Sequence, residues 1–432
     1  MTEGMATGSK DTKRDWAGSV MAAVVGRDLP PTAQRILLAA QRVLARDGYE
    51  ALTLRRIAEE ALETKSLVLY HFGRRANLEA LLVDSLWHDI DAGFVRSLGQ
   101  LPPDTDSRID ALIGFYAGIA DDGRLWQMYY DLLPSVIGDA DVRRNLARIY
   151  ESYRRDINVR CLEGTDLAAD EIRGLSSLFL AVGEGLPLQT LMGPADFDAG
   201  EAFLLFGDLA KRYARNAQGH DMQQRSQVGG SRDALWAAGK DPSQRLPKPA
   251  QRILKAAQRI LGKGGLKSLT LDSIAEASGQ PRSSVSYYYQ GKQGLITALF
   301  ASALYGDQLA YMTLFSNDSI PGPAELHQRM FARTPRSRVR AFFLLLPAVL
   351  HDEELRKRAG ASYGELREWL AGWMTSRDRP TQEARALASV IVACLDGVAI
   401  QTLYDPAGFD PTPALETISS LIAVGLRPAQ SS

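Results

Sequence analysis

The segment Ala33-Gln34-Arg35-Ile36-Leu37 returns as Ala250-Gln251-Arg252-Ile253-Leu254, and the stretch that follows returns with it in one register. Leu52-Thr53-Leu54 and Ile57-Ala58-Glu59 recur as Leu269-Thr270-Leu271 and Ile274-Ala275-Glu276, all displaced by 217 residues (Arg35 to Arg252) without a gap. Chance does not produce such a match, and self-similarity at a fixed displacement means that one structural unit has been copied. Fainter echoes continue downstream at slightly smaller offsets. Leu133-Pro134 is answered by Leu346-Pro347, and Glu184-Gly185-Leu186-Pro187-Leu188-Gln189-Thr190-Leu191 by Asp396-Gly397-Val398-Ala399-Ile400-Gln401-Thr402-Leu403. Residues 216–248 between the copies are polar, rich in Gln, Gly and Ser, and run into Pro247-Lys248-Pro249 at the start of the second copy. A flexible linker of that length has a root-mean-square span of roughly 30 Å, enough for one copy to dock beside the other.

The 432 residues are 45% hydrophobic and 23% charged, a globular composition too long for one ordinary domain. Cys161 and Cys394 are the only cysteines, so there is no disulfide framework and no zinc-ligand spacing. A reducing, cytoplasmic location is expected. Apolar runs such as residues 341–350 are shorter than the roughly 20 residues a spanning helix needs, and residues 21–25 lack the order of a signal peptide. Neither membrane nor export is expected. The net charge of −1 excludes a protein that coats nucleic acid through a broad positive field. Basic charge is local instead: eight Lys or Arg face five Asp or Glu over residues 32–78, and seven face two over residues 249–295.

Within one copy, Ile36, Leu37, Ala40, Val43 and Leu44 follow helical spacing, which predicts an amphipathic helix stopped near Gly48. Thr53 is placed to cap a second, short helix with Leu54, Ile57, Ala58 and Ala61 inward. After a tight turn a third helix runs from near Thr64 to the break at Phe72-Gly73. Three short helices with a turn before the last are the helix-turn-helix plan, in which the last helix lies in the major groove.

Thr53-Leu54-x-x-Ile57-Ala58 followed by Tyr70-His71-Phe72-x-x-Arg75-x-x-Leu78 resembles the TetR family of bacterial repressors. So does Thr270-Leu271-x-x-Ile274-Ala275 with Tyr287-Tyr288-Tyr289-x-x-Lys292-x-x-Leu295. The resemblance implies an all-α chain of two tandem units. Each comprises a three-helix DNA-binding domain (31–78 and 249–295) and a helical ligand-binding and dimerisation domain (79–215 and 296–427). A weakly ordered or disordered extension is expected over residues 1–30. By matching position, Thr53, Lys65, Tyr70, His71 and Arg75 would contact phosphates in the first copy, and Thr270, Arg282, Tyr287, Tyr288 and Lys292 in the second. Such contacts position a protein without reading sequence. Base reading is expected of Lys65, Ser66 and Leu67 and of Arg282, Ser283 and Ser284. A basic side chain donates to guanine O6 and N7, whereas Leu67 meets only a thymine methyl, so the two half-sites are expected to differ.

Both copies depart from the family pattern. The second keeps a turn glycine, Gly279, where the first has Leu62; a family aromatic is Leu69 in one and Ser286 in the other; and Pro281 takes the capping position of the second recognition helix. A leucine forced to positive φ is strained. The second head is therefore expected to be the more orthodox binder.

Long helices are expected over residues 171–192, 203–213, 381–404 and 414–426. In the family plan such helices pair between subunits as a four-helix bundle, and here the partner lies on the same chain. Intrachain pairing of the two halves is the expectation, with a further homodimer left open. Paired this way, the third helices of the two heads are expected about 34 to 36 Å apart, on successive major grooves. Gly183, Gly185, Gly397 and Ala399 allow close approach of helices or mark ordinary packing.

By family analogy, aromatic residues of the middle helices line a pocket for a partly apolar small-molecule effector: Phe115, Trp126, Tyr129 and Tyr130 in the first copy, and Phe343, Trp369 and Trp373 in the second. Most of these side chains are expected to serve as core. The five histidines show no metal spacing, and Gly183-Glu184-Gly185 lacks the strand that a phosphate loop needs, so no metal, cofactor or enzyme activity is expected. The expected function is a ligand-responsive repressor acting on double-stranded operator DNA as a single-chain pseudo-dimer. The alternative is a scaffold with one or both heads no longer binding DNA, serving protein interaction or ligand sensing.

Overall fold

A computed structural model of the chain describes residues 29–99, 102–193, 197–215, 246–314, 320–328, 336–375 and 381–426. The expected N-terminal extension, but for its last two residues, and nearly all of the expected linker lie outside the described residues. Among these every regular element is a helix, and the chain is all-α. It divides into two compact units, residues 1–99 and 100–432.

The first unit holds α1 (Pro31–Asp47), α2 (Leu54–Ala61), α3 (Lys65–Phe72) and α4 (Arg75–Leu98). Pro31 opens α1 at a position whose N–H would have no helical partner, and the N–H of Gly48 closes it on the Leu44 carbonyl at 3.0 Å. The spaced apolar residues Ile36, Leu37, Ala40, Val43 and Leu44 are all buried, as are Ile57 of α2 and Val68 and Phe72 of α3. Gln41 donates to Ser85 Oγ at 3.0 Å and fastens α1 to α4 inside the core.

The second unit begins with α5 (Thr105–Ala120), α6 (Gly123–Gly138), α7 (Ala140–Arg160), α8 (Ala169–Met192) and α9 (Ala199–Arg215). The second copy then follows as α10 (Lys248–Gly264), α11 (Leu271–Ser278), α12 (Arg282–Tyr289) and α13 (Lys292–Leu314). It ends with α14 (Pro323–His327), α15 (Arg336–Leu350), α16 (Glu353–Thr375), α17 (Thr381–Tyr404) and α18 (Thr412–Leu426). Helices α10 to α12 repeat α1 to α3 in detail. Gln258 donates to Ser302 Oγ at 3.1 Å, the same bond 217 residues on from Gln41 and Ser85.

At the centre of the second unit α8 packs along α17, and α9 and α18 close the bundle. The approach is close because both helices present small residues: a Cβ on Gly185 would stand 2.5 Å from Ala393 Cα, and one on Gly397 2.6 Å from the Ala181 carbonyl carbon. Polar contacts are exchanged with the same reciprocity. Gln189 Nε2 donates to the Ser389 carbonyl at 3.0 Å and Gln401 Nε2 to that of Ser177 at 2.9 Å. Arg367 Nη1 donates to Gln189 Oε1 at 3.3 Å and stacks over Phe197; Arg154 Nη1 donates to Gln401 Oε1 at 3.2 Å and stacks over Phe409. Helix α8 and residues 382–404 of α17 are long and apolar enough by composition to cross a membrane, with mean hydropathy 1.2 and 1.9, and their residues are mostly buried against the bundle. Short unbroken apolar runs do not reveal this property.

Candidate nucleic-acid interface and regulatory core

Each head presents the same exposed surface, built by the same local rules. Thr53 caps α2 by accepting from the Arg56 N–H at 3.3 Å; Thr270 caps α11 by accepting from Ser273 N–H at 3.1 Å, while Ser273 Oγ accepts from the Thr270 N–H at 3.1 Å. Thr64 caps α3 through the Leu67 N–H at 3.2 Å, whereas Pro281 begins α12 with no side-chain cap. The third helix is pinned from below by Val68 and Phe72, or by Val285 and Tyr289, whose hydroxyl donates to the Ala250 carbonyl at 2.7 Å. The opposite face is thereby left outward. Lys65 and Ser66, and Arg282 and Ser283, are exposed, while Leu67 and Ser284 are half-buried. Tyr70 and Tyr287 occupy one register and are each 80% exposed. Each head thus leaves a large ring in water at the same place, on the face that the helix does not bury. His71 lies edge-on to Tyr70 at 5.1 Å and Tyr288 edge-on to Tyr287 at 4.9 Å, both half-buried.

The heads differ in what their charges do. In the first, Arg35 pairs with Glu63, Arg42 and Arg46 with Glu60, Arg46 and Arg56 with Asp47, and Arg55 with Glu59. Arg75 is half-buried, bonded to Glu79 and to the Tyr49 carbonyl, with its guanidinium 5.0 Å over the Tyr49 ring. In the second, Lys292 holds that register exposed, and Arg252, Lys255, Lys263 and Lys292 make no ion pair among the described residues. Leu62 adopts φ 57° and ψ 39°, the left-handed conformation that Gly279 adopts at φ 63° and ψ 29°, and its side chain is 92% exposed.

The family model described as bacterial regulatory proteins, tetR family, matches residues 36–80 and again residues 253–299. The chain belongs to the TetR family. It carries two tandem TetR-type units and is a transcriptional regulator; regulators of this family bind operator DNA and small-molecule effectors. A second family model, BetI-type transcriptional repressor, C-terminal, matches residues 325–427. The chain is also similar to the HTH-type transcriptional regulator BetI of Vibrio campbellii (strain ATCC BAA-1116), 23% identical over 180 residues, which are 40% of this chain and 87% of that protein.

In this TetR-family chain aromatic residues of α6 and α7 converge on a carboxyl group that sequence reasoning missed. Trp126 lies edge-on to Tyr129 at 5.4 Å and stacked on Tyr130 at 6.1 Å, with its Nε1–H donating to the Ile119 carbonyl at 2.9 Å. Tyr129 and Tyr150 donate to Glu184 Oε1, Tyr130 donates to the Glu184 carbonyl, and the Tyr404 hydroxyl, from the second copy, meets that of Tyr129. Burial pushes the Glu184 carboxyl up to about 8, against the opposing pull of the Tyr129 and Tyr150 hydrogen bonds and of Arg154. Its Oε2 is buried with no hydrogen-bond partner. Phe115 stands apart from this cluster, half-buried and edge-on to Tyr116 at 5.4 Å.

The second region does not rebuild the cluster. Asp396 stands at the register of Glu184 and accepts from Tyr363 at 2.8 Å, but Phe342 and Phe343 stand where Tyr129 and Tyr130 do, and Met192 where Tyr404 does. Phe343 is buried edge-on to Phe342, while Trp369 and Trp373 lie half-buried along α16. The available signal was an acid in the middle of an apolar helix in both copies, Glu184 and Asp396. A further polar contact joins the copies where α6 packs on α15. His351 Nε2 lies 2.8 Å from Asp131 Oδ2, and Asp131 is buried, its carboxyl pushed up to about 6 by desolvation against the pull of His351.

Proposed function

We propose that the chain is a ligand-responsive cytoplasmic repressor that acts as a single-chain pseudo-dimer on an asymmetric inverted-repeat operator, each head taking one half-site. The observation that carries this reading is the reciprocal fit of α8 on α17, in which Gly185 meets Ala393 and Gly397 meets Ala181. That seam is the kind of small-residue bundle contact through which helical subunits pair, and here both sides belong to one chain. Tethering makes assembly independent of concentration. Phosphate contacts fall to Thr53, Tyr70, His71 and Arg75 and to Thr270, Tyr287, Tyr288 and Lys292, while Lys65 and Arg282 at the starts of α3 and α12 serve base reading. The effector acts on the aromatic regions of α5, α6, α15 and α16, with the Glu184 cluster as the polar element of the first. It lowers operator affinity by binding more tightly to the conformation that fits DNA less well, a coupling of about 1 to 3 kcal/mol.

Light scattering of the purified chain, free and bound to operator from the flanking intergenic DNA, tests this reading. One chain per operator is expected; a dimer of chains carrying four heads defeats it. A second reading, in which the first head no longer binds DNA, is favoured by Leu62 and by the internal engagement of Arg75. Mobility shifts of Tyr70→Ala beside Tyr287→Ala separate the two, since the second reading requires Tyr70→Ala to leave the shift unaltered.

A further inference from the structure

Where α2 of the first head carries Arg55, α11 of the second carries Asp272 at the same register. Arg282, the first residue of α12, sets its Nη1 3.1 Å from Asp272 Oδ1. Both side chains are more than half exposed, so the pair adds little to stability. A carboxylate on a surface that meets phosphates also weakens non-specific attraction. Asp272 stands in the first turn of α11, where a carboxylate suits the helix start, but neither that nor backbone binding calls for its pairing with Arg282.

We propose that Asp272 is a specificity-determining residue of the second head: it holds Arg282 for a guanine, and its own carboxylate favours a cytosine amino group beside that guanine. The inference rests on the reading of α12 as the base-reading helix of a DNA-binding head. With Nη1 turned to Asp272, the guanidinium keeps its Nε and Nη2 hydrogens side by side, a fork that matches guanine O6 and N7. The carboxylate only accepts hydrogen bonds. In the major groove cytosine N4 and adenine N6 donate, whereas O6, N7 and O4 accept and repel it. An unrestrained arginine would also find phosphate oxygens at many sites, and the pairing withdraws that freedom.

The first head has the opposite arrangement. Lys65 and Arg55 are both cations, and Arg55 turns to Glu59 of its own helix at 3.6 Å. A lysine is a rotatable point charge that does not impose the geometry of a fork. Base preference at this register is accordingly strict in the second half-site and tolerant in the first.

Selection of the full chain on a library of randomised inverted repeats tests the assignment. The wild-type chain is expected to enrich a G·C pair at one position of one half-site. In Asp272→Asn the preference for guanine there falls about tenfold, while binding to random duplex at fixed salt tightens because a negative charge has gone. The transplant Arg55→Asp with Lys65→Arg brings a guanine preference into the other half-site, an outcome that does not depend on how the second head tolerates substitution. Retention of the wild-type guanine preference by Asp272→Asn overturns the assignment whatever the transplant does. Failure of the wild-type chain to enrich any sequence overturns the DNA-binding reading, and the inference falls with it.

Discussion

Gly185 lies directly beneath the backbone of Ala393, so close that a Cβ on the glycine would stand 2.5 Å from that residue's Cα. The obstructing atoms are backbone, not the movable end of a side chain, and the same holds for Gly397 beneath Ala181. The seam between the two copies is thus set by two glycines at equivalent registers. The buried amides of Gln189 and Gln401 fix its alignment, because a sliding helix would leave them without partners.

Replacing either glycine with alanine should therefore destabilise the second unit. Alanine gains up to about 1 kcal/mol in helix propensity over glycine, but overpacking against a fixed backbone costs about 1 to 3 kcal/mol and wins. Gly114 and Gly118 on α5 have open space where a Cβ would go, so alanine there is neutral or stabilising. Urea unfolding followed by Trp126 fluorescence measures the contrast; equal midpoints for Gly185→Ala and Gly118→Ala would show that the seam tolerates the extra carbon.

Glu184 makes stability depend on pH. Its carboxyl is raised from 4.5 to about 8 in the folded chain, so between those values the folded state holds a proton that the unfolded state has released. Stability then falls as pH rises, by up to about 1.4 kcal/mol per pH unit, and the loss is complete above about 8. Glu184→Gln, which keeps the acceptor for Tyr129 and Tyr150, should flatten that slope. Urea midpoints of both proteins at pH 5, 6, 7 and 8 should diverge steadily in favour of the variant at the alkaline end. Parallel curves would mean that Glu184 is ionised within the fold.

Much of this architecture is legible in the sequence. The offset of 217 residues marks both heads, and the spacing of Ile36, Leu37, Ala40, Val43 and Leu44 marks the buried face of α1. The turn positions are legible too, since Leu62 and Gly279 share a register and both adopt positive φ. The charge network of the first head is legible only where it is local, as in Arg55 and Glu59 on one helix, while Arg35–Glu63 and Arg42–Glu60 tie α1 to α2 and its turn. The cluster around Glu184 is not legible, because it joins residues far apart in the chain. Tyr404 reaches Tyr129 across 275 residues, and no local period announces a contact made only when α17 lies on α8. Arg75 carries the same lesson: its type and position match a phosphate contact, but only the fold shows its guanidinium laid over Tyr49.

Asp131 and His351 join α6 to α15, and the cost of separating them is expected to be unequal. Asp131 is wholly buried, and its Oδ1 has no hydrogen-bond partner, so His351 supplies the compensation for its charge. His351→Ala at pH 7.5 should cost about 1 to 3 kcal/mol, the penalty of a buried acceptor left alone. Asp131→Asn removes the charge that needs compensation, and in that background the histidine substitution should cost much less. A double-mutant cycle in urea gives the coupling directly; a coupling near zero would make the contact incidental.

Leu62 offers a test of how far the heads have diverged. At φ 57° a leucine is held where its Cβ crowds the backbone, a penalty of about 1 to 2 kcal/mol, while 92% of its side chain stays in water and returns little packing energy. Glycine removes the crowding but adds freedom to the unfolded chain, which costs up to about 1 kcal/mol. Leu62→Gly should accordingly stabilise the turn between α2 and α3 by a modest margin, and Gly279→Leu should destabilise the turn between α11 and α12 by a similar one. Hydrogen exchange resolved over residues 54–72 and 271–289 reads each head separately, which whole-chain melting of two units does not. Slower exchange in Leu62→Gly together with tighter operator binding would mark the leucine as a defect of the first head. Slower exchange with weaker binding would instead mean that the exposed leucine itself touches DNA, and unchanged exchange would remove backbone strain as the distinction between the heads.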